Sequence, residues 1–257
     1  MDILLIAIVS FIGAGLTLFS GFGLGTLLMP VFGLFFPIDL AIALTAIVHL
    51  ANNLIKFGFF HKTINWAIVL RFGIPSIAAA FLGAFLLGFI SNQEAFFAYS
   101  MFDHTFSISP VNITIALLLL VFSLLELIPR FTRLEFDKKY MPLGGLLSGF
   151  FGGISGNQGA LRAAFLIRAG MNKEFFIGTS VVIACLVDFA RLSIYSKNIL
   201  SHIDQSKILL LAVAVLAAFS GVFIGTRLLK KITIASLQMI VAIMLLVFAL
   251  FLGAGIV

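Results

Sequence analysis

Apolar segments long enough to cross a bilayer are the feature that most limits how this chain can fold. A transmembrane helix needs about 20 consecutive apolar residues. Charged residues make up 10% of the chain, far below the roughly 25% of a soluble domain. The sequence therefore predicts an all-α, multi-pass protein of the cell (inner) membrane. Its eight hydrophobic segments run over 3–36, 40–58, 66–90, 110–128, 141–167, 175–195, 208–228 and 232–257.

Glycine clusters interrupt two of these segments. The first segment carries GFGLG (21–25), and the fifth carries GGISGNQG (152–159). Glycine destabilises a helix and permits backbone angles that other residues avoid. Both segments therefore favour a broken or re-entrant helix. A straight helix that packs closely through small residues is the alternative.

The two breaks recur at one spacing, which indicates an internal repeat. Residues 1–128 and 140–257 are interpreted as two membrane repeats, with 129–139 as a cytoplasmic linker. Each repeat would contain a broken or re-entrant helix followed by three transmembrane helices. Five pairs of residues match at an offset of 134 positions: Gly15 with Gly149, Gly25 with Gly159, Leu27 with Leu161, Thr45 with Thr179, and Val48 with Val182.

The distribution of lysine and arginine predicts the orientation. These residues cluster at 56–71, 130–139 and 227–231, whereas loop 91–109 has none. By the positive-inside rule, loops 59–65, 129–139 and 229–231 should be cytoplasmic and both termini outside. The net charge of +6 then reflects topology rather than nucleic-acid binding. The start, MDILLIAIVSF, lacks the cationic region of a cleaved signal peptide, so we expect the first helix to be retained.

This orientation requires the two halves to be inverted. A chain that is inside at both 139 and 227 crosses the membrane an even number of times between them. Segment 141–167 must therefore enter and return to the same side. If segment 3–36 also enters and returns to the same side, each half crosses the membrane three times. Because three is an odd number, the two halves then point in opposite directions. Many secondary transporters have this plan and hold substrate near the midplane at discontinuous helices.

The stretch GNQGALR (156–162) is the first candidate site. Arg162 follows the second break by three residues, close to the expected start of a half-helix, whose end carries free N–H groups and a partial positive charge. An anion would satisfy both the arginine and the helix end. The expected substrate-binding residues there are Asn157, Gln158, Gly159 and Arg162, with Gly23 and Gly25 of the first break. The alternative is a structural arginine that bonds to carbonyl groups or reaches the inner surface.

Two further polar groups lie inside predicted spans. Asp188 and Arg191 are three residues apart and can pair on one helix face, either as a structural ion pair or with Asp188 as a proton-coupling carboxylate. His49, Asn52 and Asn53 share a face that we expect to point away from lipid, where they would bind substrate or form interhelical hydrogen bonds. Lys56 and His61 are interpreted as interfacial anchors.

Catalytic and metal-binding patterns are missing from the sequence. The four histidines are scattered, and the single cysteine, Cys185, lies in an apolar run. No metal site, cofactor or catalytic residue is therefore expected. The sequence contains no GxxxxGK[ST], GxSxG or HExxH motif, so direct use of ATP and hydrolytic chemistry are not indicated.

The motifs GFGLGTLLMP (21–30), AIALTAIVH (41–49) and GGISGNQGALRAAFLIRAGMNKEFFIGTS (152–180) resemble the sulfite exporter TauE/SafE family over nearly the whole chain. The sequence departs from that family where SGNQG replaces a run of glycines and where Ala164 stands opposite Pro30 of the first repeat. The resemblance implies a membrane transporter that exports sulfite, an organosulfonate or a related small anion. A passive anion channel and a non-transport protein, such as an intramembrane enzyme or assembly factor, are the alternatives. The sequence leaves the coupling ion, for which protons are a candidate, and homo-oligomer formation open.

Overall fold

Ten α-helices and one β-hairpin make up the part of the chain that the computed structural model describes, which is residues 2–17, 23–101, 104–128, 136–228 and 234–257. An all-α membrane protein, as predicted, is confirmed. The first half contains α1 (Asp2–Leu16), α2 (Leu24–Gly33), α3 (Ile38–Phe60), α4 (Trp66–Ser91) and α5 (Pro110–Leu127). The second half contains α6 (Met141–Ser155), α7 (Gly159–Leu166), α8 (Lys173–His202), α9 (Gln205–Leu228) and α10 (Ile234–Gly253).

Five helices are long and apolar enough to cross a membrane, namely α3, α4, α5, α8 and α9. Local sequence sets several of their ends. Asn65 accepts a hydrogen bond from the amide of Ile68 at the start of α4, and Ser109 accepts one from Asn112 at the start of α5. A π-helical turn at Val69–Gly73 ends two residues before Pro75, which has no N–H to donate to the preceding turn.

The helices around the two glycine breaks are too short to cross alone. A helix of 15 residues, such as α1 or α6, is about 22 Å long, whereas the hydrocarbon core is about 30 Å thick. The second pair clearly turns back on itself. Ser148 of α6 donates to the carbonyl oxygen of Gln158 (3.1 Å), and the amide of Phe136 before α6 donates to the carbonyl oxygen of Ala164 in α7 (3.2 Å). Both ends of this hairpin therefore lie at the same level.

The first pair has the same design. α1 packs against α2, and a Cβ atom added to Gly13 would lie 2.9 Å from the side chain of Leu24, at the beginning of α2. Residues 18–22, which include the first two residues of GFGLG, lie outside the described residues. The predicted interruption of both segments is thus seen as two separate helices in each half.

Contacts between the halves are reciprocal. The first helix of each half packs on the fourth helix of the other half, as α1 on α9 and α6 on α4. In addition, α3 packs on α8 and α5 packs on α10. The helices α3 and α8 are antiparallel, because Asn65, after α3, bonds to Thr179 near the start of α8, whereas His49 meets Asp188 further along. Antiparallel contact between equivalent helices is what inverted repeats would give, and the repeat boundaries stay a prediction.

Glycines allow α6 and α4 to touch through their backbones. Cβ atoms added at Gly145, Gly149 and Gly153 would lie 2.1–2.3 Å from carbonyl oxygens of α4. Because these glycines repeat every four residues, the two helices lie against each other over more than two turns. This contact fixes the position of the second hairpin within the bundle.

A β-hairpin in the predicted outer loop was not foreseen by the sequence analysis. Strands β1 (Phe97–Met101) and β2 (His104–Ile108) pair antiparallel, with Phe97 opposite Ile108. The hydroxyl of Tyr99 donates to the carbonyl oxygen of Ala254 at 2.7 Å. The hairpin is therefore attached to the end of α10 and covers that end of the α5–α10 pair.

Candidate functional site

The two hairpin breaks meet in the interior of the protein. A Cβ atom added to Gly25 would lie 3.8 Å from the carbonyl oxygen of Gly156. One added to Gly23 would lie 2.8 Å from Nε2 of His49, and one added to Gly156 would lie 2.8 Å from Nη1 of Arg191. Gly156 has a φ of 79°, a left-handed conformation that favours glycine and ends α6. The breaks, α3 and α8 thus converge on one place.

The face of α3 that points to this place is polar and buried. His49, Asn52 and Asn53, predicted to share a face away from lipid, are all at most 5% exposed. Neither amide atom of Asn52 has a hydrogen-bond partner among the described residues. Buried amides are normally satisfied, so Asn52 has bonding capacity for a bound molecule or water.

Asp188 joins the two halves of the protein through a buried network. Its Oδ2 lies 2.6 Å from Nδ1 of His49, and its Oδ1 lies 3.0 Å from Nε and 2.7 Å from Nη2 of Arg191. The predicted pairing of Asp188 with Arg191 is therefore present. All three side chains are almost completely buried. The carboxylate is thus held in place from both sides as a counter-charge.

The same network assigns the tautomer of His49. Because Nδ1 faces a carboxylate, which only accepts hydrogen bonds, Nδ1 carries the proton and donates a hydrogen bond to Asp188. Nε2 is then the acceptor, and the side-chain amide of Asn53 lies 3.3 Å from it. In this arrangement the ring of His49 has a fixed orientation beside Gly23.

Arg162 lies where the sequence predicts it, in the first turn of α7, and is 4% exposed. Its Nη1 donates to Oε1 of Gln158 at 3.1 Å, whereas its Nε has no partner in the described part of the chain. The Nε2 atom of Gln158 and both amide atoms of Asn157 are also buried and unpartnered there. The second break therefore presents several unused polar groups next to a buried cation.

Lys56 does not lie at the membrane surface, so the prediction for this residue is wrong. It was interpreted as an interfacial anchor, but it is 4% exposed and lies on the polar face of α3, seven residues after His49. The spacing of 49, 52 and 56 could have revealed this, since these positions share a helix face. His61 is exposed and bonds to the carbonyl oxygen of Gly58 at 3.0 Å, which is compatible with a surface position.

The charged groups form one electrostatic cluster with a surplus of positive charge. Arg162 interacts electrostatically with His49, Lys56 and Asp188. Arg162 and Arg191 are buried cations, Lys56 is a buried basic residue, and Asp188 is the one fully buried carboxylate among the described residues. Because uncompensated buried charge is costly, this cluster is suited to receive an anion. Within the same residues, no three His, Cys, Asp or Glu side chains are placed to hold a metal ion.

Comparison with known proteins agrees with this architecture. No curated protein matches the chain. The sequence model of one family, described as Sulfite exporter TauE/SafE, matches residues 5–252 of the 257, which include both hairpins, the polar face of α3 and the Asp188 network. The family is one of anion exporters, so membrane transport is its general activity. The chain therefore belongs to the sulfite exporter TauE/SafE family.

Proposed function

We propose that this protein is a secondary transporter that exports a small oxyanion of sulfur, either sulfite or an organosulfonate, across the cell membrane. The substrate binds between the two hairpin breaks. The substrate-binding residues are His49, Asn52 and Asn53 on α3, Gly23 and Gly25 at the first break, and Asn157, Gln158, Gly159 and Arg162 at the second. Asp188 and Arg191 hold the site together as an ion pair.

The observation that carries this proposal is the surplus of buried positive charge beside unpartnered polar groups. Arg162 has a free Nε, Asn157 and Asn52 have unused amides, and Lys56 has no ion pair among the described residues. Desolvated cations require a counter-charge, and an anion between the breaks would supply it. The guanidinium fork of Arg162 matches two oxygens of a sulfonate or sulfite.

Several features favour a carrier over a permanently open channel. The site lies where two helix interruptions meet, and this is the location of substrate in transporters built from inverted repeats. The antiparallel contact of α3 with α8 and the reciprocal hairpin packing support repeats over 1–128 and 140–257. Rocking one half against the other would expose such a site to each side in turn. Export, rather than uptake, follows from the family description alone.

Substitution of Arg162 tests the proposal. A hydrogen bond to a charged group contributes about 1.5–3 kcal/mol, which corresponds to roughly a 10- to 100-fold change in affinity. Arg162→Lys should stay inserted and bind sulfite and methanesulfonate about 10-fold more weakly, and Arg162→Ala about 100-fold. Binding would be measured as anion-dependent thermal stabilisation of the purified protein, and transport as saturable flux into liposomes.

Arg168 supplies the matched control, since it lies two residues after the end of the same half-helix. Its side chain is 53% exposed and 3.6 Å from Asp137, so Arg168→Ala should bind both anions normally. Arg162→Ala should also unfold at a higher temperature than the wild type when no anion is present, because it removes an incompletely paired buried charge. If Arg162→Ala carries the anions at the normal rate, the arginine is structural and the proposed site is wrong. Flux that does not saturate would instead indicate a channel.

A further inference from the structure

A small cavity lies beside the proposed anion site and contains a carboxylate that the site does not use. It is lined by Thr26 of α2, Phe122 and Glu126 of α5, Leu245 of α10, and Asn157, Gly159 and Ala160 at the second break. The space holds about one water-sized occupant. Most of the wall is apolar, so Glu126 is the one group in the lining that can change its charge.

The surroundings of Glu126 contain few other charges. The helices α2, α6 and α10 carry no titratable residue, and α5 carries only Glu126. The charged residues on the helices packed against α5 are Arg71 on α4 and Asp39, His49 and Lys56 on α3. Arg162 on α7 follows the cavity residue Gly159 by three residues. Glu126 forms no hydrogen bond or ion pair with any described residue. The linker residues Arg130, Arg133 and Glu135 follow it in the sequence and lie outside the described residues.

Asp188 and Glu126 differ in their hydrogen bonds, and this difference decides which of the two acids can bind a proton. Asp188 receives hydrogen bonds from His49 and Arg191 on both of its oxygens, so binding a proton there would break existing contacts. Glu126 has no such contacts to lose among the described residues, and it faces space that water can enter. The amide of Asn157, which also lines the cavity, is buried and unpartnered and is placed to respond to the state of the carboxyl group.

We propose that Glu126 is the proton-binding residue that couples anion movement to the proton gradient. This inference rests on the proposed function, because it assigns the coupling ion of the same site. The step is a simple protonation, in which the Glu126 carboxylate takes up one proton to become a neutral carboxylic acid and later releases it. No other group changes its covalent structure.

The position of the cavity determines the sign of the coupling. Asn157 and Gly159 belong both to the cavity and to the second break, and Arg162 follows Gly159 by less than one helical turn. Neutralising Glu126 removes a negative charge from the wall that the cavity shares with the second break, so a bound proton favours an anion at that break. By reciprocity, a bound anion strengthens proton binding. The proton and the anion are therefore carried in the same direction, and export runs down the outward gradient of the anion, with a proton leaving with each anion.

The test separates exchange from gradient-driven accumulation, using the full-length protein in liposomes. Methanesulfonate is the probe, because its own charge does not change over the pH range used. Glu126→Gln imitates the protonated acid. It should exchange labelled methanesulfonate across the membrane at no less than half the wild-type rate, whereas accumulation driven by a pH gradient should fall at least 10-fold. Glu94→Gln, which changes an exposed acid in the outer loop, should leave both activities unchanged.

Each remaining outcome has a definite meaning. If Glu126→Gln still accumulates methanesulfonate in response to a pH gradient, Glu126 is not the coupling residue. If it loses exchange and accumulation together while remaining folded, the residue serves anion binding and the coupling proposal is wrong. Glu126→Asp keeps a titratable acid and should retain gradient-driven accumulation, and its failure to do so would also contradict the proposal. If the wild type exchanges neither methanesulfonate nor sulfite, the proposed function itself fails.

Discussion

Removing the charge of Asp188 should destabilise the protein strongly, because this carboxylate is the counter-charge of a fully buried arginine. In Asp188→Asn, Arg191 loses its charged partner, and no water can replace it since both side chains are 0% exposed. Breaking a buried ion pair from one side costs about 3–5 kcal/mol. His49 also loses its hydrogen bond to the carboxylate, so the upper part of this range applies.

The apparent unfolding temperature in detergent, measured at one heating rate, is the appropriate assay, because unfolding of such proteins is commonly irreversible. For a chain of this size, 1 kcal/mol shifts the unfolding temperature by about 2–4 °C. With about 4–5 kcal/mol lost, Asp188→Asn should therefore unfold about 8–20 °C below the wild type. Replacing both partners, in Asp188→Asn with Arg191→Gln, should recover much of this loss because no unpaired charge remains.

Asp204 provides the matched control for this prediction. It also pairs with a cation three residues later, Lys207, at 2.5 Å, but its side chain is 55% exposed. Asn caps a helix about as well as Asp, so the hydrogen bond from the amide of Lys207 survives in Asp204→Asn, and the unfolding temperature should barely change. The reasoning is refuted if Asp188→Asn is as stable as the control, or if the double variant is no more stable than Asp188→Asn.

Two predictions concern packing and topology. Gly83→Ala should destabilise the contact of α4 with α6 by about 1–3 kcal/mol, because the new Cβ would lie 2.2 Å from the carbonyl oxygen of Phe150. The control Gly88→Ala, on the same helix, places its Cβ where nothing lies within 4 Å and should be neutral or stabilising. Thermal unfolding of the two variants tests this, and equal stability would contradict the packing. Single cysteines at positions 100 and 135 of a Cys185→Ala variant should react with an impermeant thiol reagent from opposite sides of the membrane, and labelling of both from one side would disprove the inverted arrangement.

The helices were predictable because their signal is long and local. Each apolar segment found in the sequence corresponds to a helix or to a pair of helices, and both glycine-rich interruptions separate two helices. The β-hairpin was missed for the opposite reason. Its strands are five residues long, and the alternation in Phe97–Met101 is too short to stand out from a loop.

Part of the site was predictable from helical spacing alone. His49, Asn52 and Asn53 share a face because of their spacing, as do Asp188 and Arg191. The contact between His49 and Asp188 could not be predicted from spacing, because it depends on the register of two helices whose contacting residues are 139 positions apart. Glu126 carried no signal in the sequence, since an acid next to the end of a span is typical of an interface. Its position in a cavity becomes visible only when α2, α5, α10 and the second break are packed together.

The charged residues do not follow the predicted repeat, and there is a physical reason for this asymmetry. At the offset of 134 residues, His49 corresponds to Ile183, Asp188 to Leu54 and Arg191 to Phe57; Arg162 corresponds to Leu28, and Lys56 to Ala190. Ile183 and Leu54, the counterparts of His49 and Asp188, lie only five residues from Asp188 and His49 along the same two helices, so a duplicated charge would fall in the same contact between the halves. Like charges at short distance in a buried place repel strongly, whereas a histidine from one half facing an aspartate from the other attracts. Apolar residues can therefore be the same in both repeats. The charged residues of the site must be complementary, so one half supplies His49 and the other supplies Asp188.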